Sequence, residues 1–449
     1  MSEYVVSKEE NIPVYRDVDV VVVGGGVAGI AAAVAAARHG KKAVILEKNA
    51  ALGGLATLGH VCVYLPLDDG LGHRVASGLA EELLYTSIKY SYNHLAPQWK
   101  FRTDYAERPQ GRYQTTFNIP AAILAYDELC EQEGVETIFD VVFSEPIMEG
   151  NRVKGVIVES KQGRVAIMGK QFIDASGDAD LMARAGAETS RKDSICSHWA
   201  YEAYLPAMKK AYDEGKGVLD GLQLRWLGAR PHGGDLDAYP VPTFSGTTIE
   251  GVNGYLKTSR GMALDFLKEH LSDDYCMITL PTMPQFRTSQ HIVGVETLDY
   301  DTDAERYRED SVGIISNGIG GKVVEVYEYP YGGLIDKKVE NVYAAGRTVA
   351  CDERNGWEMM RLIPACVFTG EAAGIAACEA IDQGVTAQNM DIKKLQKTLE
   401  EAHVVIHIPD EMKGNKGKET TVELDPKYNC MTYIKISSVE LNKGFDEMP

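Results

Sequence analysis

Residues 17–23, DVDVVVV, are a nearly unbroken β-branched run with no alternating polar face. A run of that kind predicts a strand buried on both sides, as in a parallel sheet. Small residues dominate 27–39 and predict a closely packed helix, and KAVILE at 42–47 predicts a second strand. These three segments make one βαβ unit. Residues 118–133 carry a helical pattern, with Pro120 near the start and Gly134 just past the end. VETIF, VVFSEPIMEG, RVKGVIVES and RVAIMG follow, separated by turns at Glu149-Gly150-Asn151 and Gln162-Gly163. They predict a strand leading into an antiparallel meander. QFIDASGDADL at 171–181 predicts a further strand ending in a glycine turn, and NVYAAGR at 341–347 a return to the parallel pattern. Residues 363–382 predict a long buried helix opened by Pro364.

Residues 190–330 break the strand–helix alternation and are richer in Tyr, Trp, Met and Pro. That change predicts an inserted second domain. After about residue 408 the chain turns polar and rich in Lys and Glu, which predicts a surface extension. The 449 residues suffice for two or three packed domains.

The net charge of −19 argues against nucleic acid and anionic membrane as partners. It leaves room for an anionic small substrate, since local arginines can override the global field. MSEYVVSKEENIPVYRD has charge where a signal peptide needs an apolar region. No wholly apolar run reaches the roughly 18 residues of a spanning helix, and a cytoplasmic location is expected. The eight cysteines are scattered without a C-x-x-C pair, so they are expected to be free thiols and no metal site is expected.

Gly24-x-Gly26-x-x-Gly29 sits between the first strand and the first helix. The first glycine permits the tight turn, the second lets backbone approach a pyrophosphate, and the third lets helix and strand pack closely. The helix N-terminus offers unpaired N–H groups and a positive dipole end to phosphate. Glu47 stands 23 residues after Gly24, at the end of the second strand, where a carboxylate can accept ribose hydroxyls. Strand, glycines, helix and acid together predict a dinucleotide site. They do not separate NAD from FAD.

Further motifs do. ALGGLATLG (51–59), FIDASGDADLMARAGA, RTSQHIVG and AAGR followed by MRLIPACVFTGEAAG resemble the FAD-dependent oxidoreductase family. Its Rossmann half is similar to that of succinate dehydrogenase, fumarate reductase and glutathione reductase. The resemblance spans about residues 12 to 405. It implies FAD as cofactor, with Gly24, Gly26, Val27, Ala28 and Gly29 at the pyrophosphate and Glu47 at the adenosine ribose. It places Lys48 and Gly54, Leu55, Ala56 and Thr57 toward phosphates and flavin, and Val142 beside the adenine. Ser176 and Gly177 would close over the pyrophosphate. Gly346 would lie at the ribityl chain, and Arg347, where many relatives have an acid, would face a phosphate. The helix containing Ala365 would aim its N-terminus at the flavin N1/C2 edge. The implied fold is α/β: a Rossmann-like FAD-binding domain, whose parallel sheet has an inserted antiparallel meander, plus a smaller α+β substrate or cap domain. The expected boundaries are 17–189 and 331–408 for the FAD-binding domain, 190–330 for the cap and 409–449 for the extension.

Four residues are candidates for catalysis. Arg361 lies in CDERNGWEMMRLIPAC, beside Glu353, and matches the place of the substrate arginine in fumarate reductases. Its alternatives are a substrate oxyanion anchor and an ion pair with Glu353 or Glu358. His198, in CSHWAYEAY, is either a general base or part of a packed aromatic helix. Arg287 stands with His291 in PQFRTSQHIVG, a strand that is either near the flavin or simply closes the cap.

The expected activity is hydride transfer between a small polar organic substrate and flavin N5. Reduction of an activated C=C bond is an alternative. So, from another class, is a flavin-bearing scaffold or RNA-modification partner. A separate electron donor or acceptor is required, its identity open, and self-association is left open.

Overall fold

The computed structural model describes residues 10–65, 67–91, 95, 101, 114–228, 241–317 and 323–420. The expected extension therefore falls largely outside the described residues, as does Cys430. The main elements are, in order, β1 (Val14–Val23), α1 (Val27–Arg38), β2 (Ala43–Glu47), α2 (Ile119–Gln132), β3 (Glu136–Phe139), β4 (Val142–Glu149), β5 (Arg152–Ser160), β6 (Gly163–Asp174), β7 (Ser197–Tyr204), β8 (Leu222–Gly228), α3 (Ile249–Glu269), β9 (Tyr275–Thr279), β10 (Val342–Ala344), α4 (Asn355–Met360) and α5 (Ile363–Gln383).

The central sheet runs β3-β2-β1-β6-β5-β4, with β10 also pairing β6. Its β3-β2-β1-β6 core and β10 are parallel, whereas β4, β5 and the start of β6 pair antiparallel. The mixed α/β architecture and the inserted meander thus agree with the sequence pattern. One element differs. The segments RVAIMG and QFIDASGD are a single strand, β6, that exchanges neighbours along its length. Residues 163–168 pair with β5, and residues 172–174 pair with β10. Because β1 continues along the other edge past both partners, the backbone stays extended through the change. Asn118 caps α2 by accepting from the Ala121 N–H at 3.0 Å, which fixes the helix start next to Pro120.

Helices α1 and α5 pack parallel through small residues. A Cβ at Gly370 would meet the Ala28 carbonyl oxygen at 2.1 Å, and one at Gly374 the Ala32 oxygen at 2.4 Å. Cys378 Sγ lies 3.8 Å from the Ala36 oxygen. The four-residue steps match on both helices, so one face of each runs along the other. Helix α5 is long and apolar enough to cross a membrane, but 94% of its apolar window is buried inside the fold.

Between residues 190 and 330, β7, β8 and β9 form an antiparallel sheet in the order β8-β7-β9. The α3 residues Ala263 and Phe266 pack on Leu227 of β8. The segment SHWAYEAY is strand β7, not the aromatic helix that its spacing suggested. Trp199 and Tyr201 stand two apart as well as in an aromatic cluster, and aromatic residues favour a pleated, half-buried surface. Trp199 pairs across strands with Trp226, rings 5.1 Å apart.

Candidate functional site

The turn after β1 uses each glycine differently. Gly24 has φ +107°, and a Cβ there would lie 2.4 Å from the Ala175 carbonyl oxygen. A Cβ on Gly29 would lie 1.9 Å from the Gly24 oxygen, so this glycine lets the helix close on the turn. At Gly26 a Cβ would meet no protein atom within 4 Å. Gly26 is the N-cap of α1, and no side chain caps the helix. The first-turn N–H groups of α1 therefore have no side-chain acceptor, and there is no acid in that turn. An open cradle with free amides and a positive dipole end fits a pyrophosphate.

The second glycine pair presses on the first. Gly53 N–H donates to the Gly25 oxygen at 2.8 Å, and a Cβ at Gly54 would be 3.1 Å from Gly26 Cα. Glu47 is buried at the end of β2. Its Oε2 accepts from Gly25 N–H at 2.8 Å, and its Oε1 accepts from Asn49 N–H and Nδ2. These hydrogen bonds use three of about four lone-pair sites. The carboxylate thus braces the glycine turn, while still lining the cleft. That bracing role was not visible in the spacing.

One continuous cleft connects these parts. It is lined by Gly24, Gly26, Val27, Ala28, Glu47, Lys48, Gly54, Leu55, Ala56, Val142, Ser176, Gly177, Gly346 and Arg347 from the expected cofactor set. Gly29, Thr57 and Ala365 support it from behind: Gly29 backs Gly24, Thr57 Oγ1 donates to the Leu52 oxygen at 2.6 Å, and Ala365 is buried in the first turn of α5. Asp174, pushed up to about 6 by burial, accepts from Ser176 N–H, Ser176 Oγ and Met182 N–H and so shapes the 175–178 turn. Arg347 is ion-paired with Asp178 at 3.0 Å and donates to the Phe286 oxygen. Its guanidinium is thus oriented at the cleft wall by the protein itself.

The register of α1 against α5 sets the length of the cleft. Gly370 lies level with Ala28, and Ile363 precedes it by seven residues. At 1.5 Å per residue, α5 projects about 9 Å beyond the start of α1. Its leading residues Ile363 and Cys366 line the cleft, together with Met283, Gln285, Phe286, Arg287 and Arg361. Burial pushes the Cys366 thiol up to about 12, so it stays protonated and acts as packing.

Of the four catalytic candidates, Arg287 and Arg361 reach this end of the cleft. Among the described residues, neither of the suggested acids pairs with Arg361. Glu353 is exposed and accepts from Ser190 Oγ, outside the cleft lining. His198 is buried on β7 and is also absent from the lining. Burial, with His60 and Arg260 adding, pushes it down to about 4.

His60 has no counterpart among the residues expected from the motifs. It is buried, adopts φ +59°, has an unpartnered Nδ1 and is pushed down to about 4 by burial. Its ring centroid is 6.1 Å from that of Tyr201, whose hydroxyl lies 3.1 Å from Cys62 Sγ. Gln285 ties this corner together, donating to the Gly59 oxygen and accepting from Trp199 N–H. Only the glycine preceding His60 hinted at a special turn.

Comparison with known proteins adds three findings. The family model described as FAD dependent oxidoreductase matches residues 19–194 and 245–399. No curated protein matches the sequence. Among solved structures, the chain is similar to a geranylgeranyl bacteriochlorophyll reductase-like protein from Thermoplasma acidophilum, at 14% identity and TM-score 0.42, over 95% of this chain and 90% of that one. It is also similar to p-nitrophenol 4-monooxygenase from Pseudomonas putida, at 14% identity and TM-score 0.45, over 88% and 90%. A third likeness is to 3-ketosteroid-Δ4-(5α)-dehydrogenase from Rhodococcus jostii, at 14% identity and TM-score 0.39, over 81% and 97%.

Proposed function

Since the chain belongs to the FAD dependent oxidoreductase family, we propose that it transfers hydride between a small polar organic substrate and flavin N5. When bound, FAD supplies the two-electron hydride acceptor or donor. The observation that carries the reading is the two-part cleft: a backbone cradle at the start of α1, and a second compartment under the projecting end of α5.

The free N–H groups of α1 bind the phosphates, and Glu47 keeps the glycine turn in shape while accepting a ribose hydroxyl on its remaining site. The N-terminus of α5 directs a positive dipole end into the second compartment, where it favours developing negative charge. Met283, Phe286, Ile363 and Cys366 give that compartment an apolar wall and keep water from the reacting atoms.

The test is anaerobic. Flavin-loaded protein is mixed with alcohols, amines and saturated acids, and photoreduced protein is mixed with activated alkenes, quinones and oxygen. A bleached or restored flavin spectrum with one of these classes is expected. Loaded protein that exchanges electrons with none of them would overturn the proposal.

A further inference from the structure

Arg287 and Arg361 both line the second compartment, and no acid forms an ion pair with either among the described residues. Their Nε atoms are buried without a hydrogen-bond partner. Arg287 has one side-chain hydrogen bond, Nη2 to Ser197 Oγ at 3.0 Å. Its guanidinium carbon lies 5.2 Å from the Trp226 ring centroid and 6.0 Å from that of Trp199. Trp226 Nε1 donates to the same Ser197 oxygen at 2.8 Å, which fixes the cluster. Glu358 is the acid whose field reaches both arginines, and it lies beyond ion-pair distance.

Two half-buried guanidiniums near each other, each with a buried and unpartnered Nε, are held at a cost that an anion joining them would relieve. The pyrophosphate is poorly placed to be that anion. Arg361 stands two residues before α5, whose start projects about 9 Å beyond the start of α1. Burial and the nearby Arg361 push Arg287 down to about 9, and it still carries its charge at neutral pH.

We propose that Arg287 and Arg361 form a two-arginine seat for a carboxylate of the substrate, with Trp199, Trp226 and Ser197 holding Arg287 in place. Planar guanidiniums match a carboxylate through paired N–H donors. This rests on the hydride-transfer reading for what happens next to the seat, but the seat itself can be tested without turnover.

Trp199 and Trp226 flank Arg287, so intrinsic tryptophan fluorescence reports occupancy with or without flavin. Flavin-loaded and flavin-free protein are titrated with acetate, malonate and inorganic phosphate at fixed ionic strength, and the flavin absorption band is followed in parallel. Saturable quenching by the carboxylates is expected, with a flavin band shift in loaded protein. In Arg287→Gln and Arg361→Gln the dissociation constants should rise about tenfold or more, as expected when a charge-assisted hydrogen bond is removed. Arg287→Lys and Arg361→Lys should show an intermediate weakening, and flavin content should be normal throughout. Unchanged affinity in the variants, binding of phosphate alone, or loss of flavin from the glutamine variants would each overturn the seat. If carboxylates bind as expected but no donor or acceptor exchanges electrons with the loaded protein, it is the hydride-transfer reading that fails.

Discussion

Changing Gly26 to alanine should separate cofactor binding from folding. The backbone at Gly26 has φ −68° and ψ 176°, an extended conformation open to any residue. The new methyl meets no protein atom within 4 Å. Alanine is a poorer N-cap than glycine, by up to about 1 kcal/mol. The reduced freedom of the unfolded chain offsets that by about 0.4–1 kcal/mol. Flavin-free Gly26→Ala protein should therefore be within about 0.5 kcal/mol of wild type, the scatter usual for sites away from packed features. FAD binding should respond differently. The methyl enters the space that the cradle leaves for phosphate, and breaking a charge-assisted N–H hydrogen bond to phosphate costs about 1.5–3 kcal/mol. Breaking one or two lowers affinity by about tenfold to more than ten-thousandfold. Wild type at a hundred times its dissociation constant gains about 2.7 kcal/mol from ligand, and the variant should forfeit most of this. The assay combines thermal melts with and without added FAD and the flavin-to-protein ratio after desalting. Gly29→Ala is the control, because its Cβ would lie 1.9 Å from the Gly24 oxygen. It should melt early with or without FAD. A Gly26→Ala protein that keeps its full flavin complement would refute the assignment of the cradle, and one that melts as early as Gly29→Ala would refute the claim that its methyl points into open space.

Three other outcomes are expected. Glu47→Gln should lower FAD affinity about tenfold or more, read by fluorescence titration, because an amide nitrogen cannot accept the Gly25 or Asn49 N–H. His60 and His198 have folded values of about 4, below the ordinary 6.5, so the folded state takes up fewer protons than the unfolded one between these values. Their contribution to stability is complete above pH 6.5 and is lost as pH falls toward 4, by up to about 3 kcal/mol each at 1.36 kcal/mol per unit. Denaturant midpoints at pH 7 and pH 5 should accordingly lie closer together in His198→Gln than in wild type. Asp178→Asn should loosen Arg347, with the flavin spectrum shifted and some flavin lost on desalting, since the 3.0 Å ion pair holds that guanidinium at the cleft wall.

The cofactor half of the site was legible because backbone builds it. A turn with φ +107° at Gly24 and a 1.9 Å approach at Gly29 each demand glycine of the fold itself, so that requirement is written directly in the sequence, while the open Cβ position at Gly26 leaves room for a ligand rather than for the chain. The same holds for the helix start at Asn118-Ile119-Pro120 and for the β-branched run of β1. The strand β6 was legible only in pieces, since no local pattern records that its second half pairs with β10, some 170 residues later. Strand β7 was misjudged as a helix because aromatic clusters satisfy more than one periodicity until a partner strand is known. No local signal revealed that Asp178 and the Phe286 carbonyl would hold Arg347 at the cleft wall.

The substrate half follows the opposite logic. Its lining comes from Val61 after the first βαβ unit, Gln285 to Arg287 in a loop and Arg361 ahead of α5, with Ser197, Trp199 and Trp226 on two strands holding Arg287. No pair among the last three groups is close in sequence, so spacing could identify members but not their company. Arg361 illustrates the difference. In the sequence it stands among acids, which left an oxyanion anchor and an ion pair with Glu353 or Glu358 as equal alternatives. In the fold Asp352 accepts from the backbone N–H groups of Arg354 and Gly356, and Glu353 accepts from Ser190. These two acids are thus turned to other work, Glu358 forms no ion pair with Arg361 among the described residues, and Arg361 lines the cleft together with Arg287. An arginine deprived of sequence-adjacent carboxylates by their own hydrogen bonds is available for a carboxylate brought from outside. The fold keeps that charge in reserve at the end of the cleft where α5 projects past the phosphates.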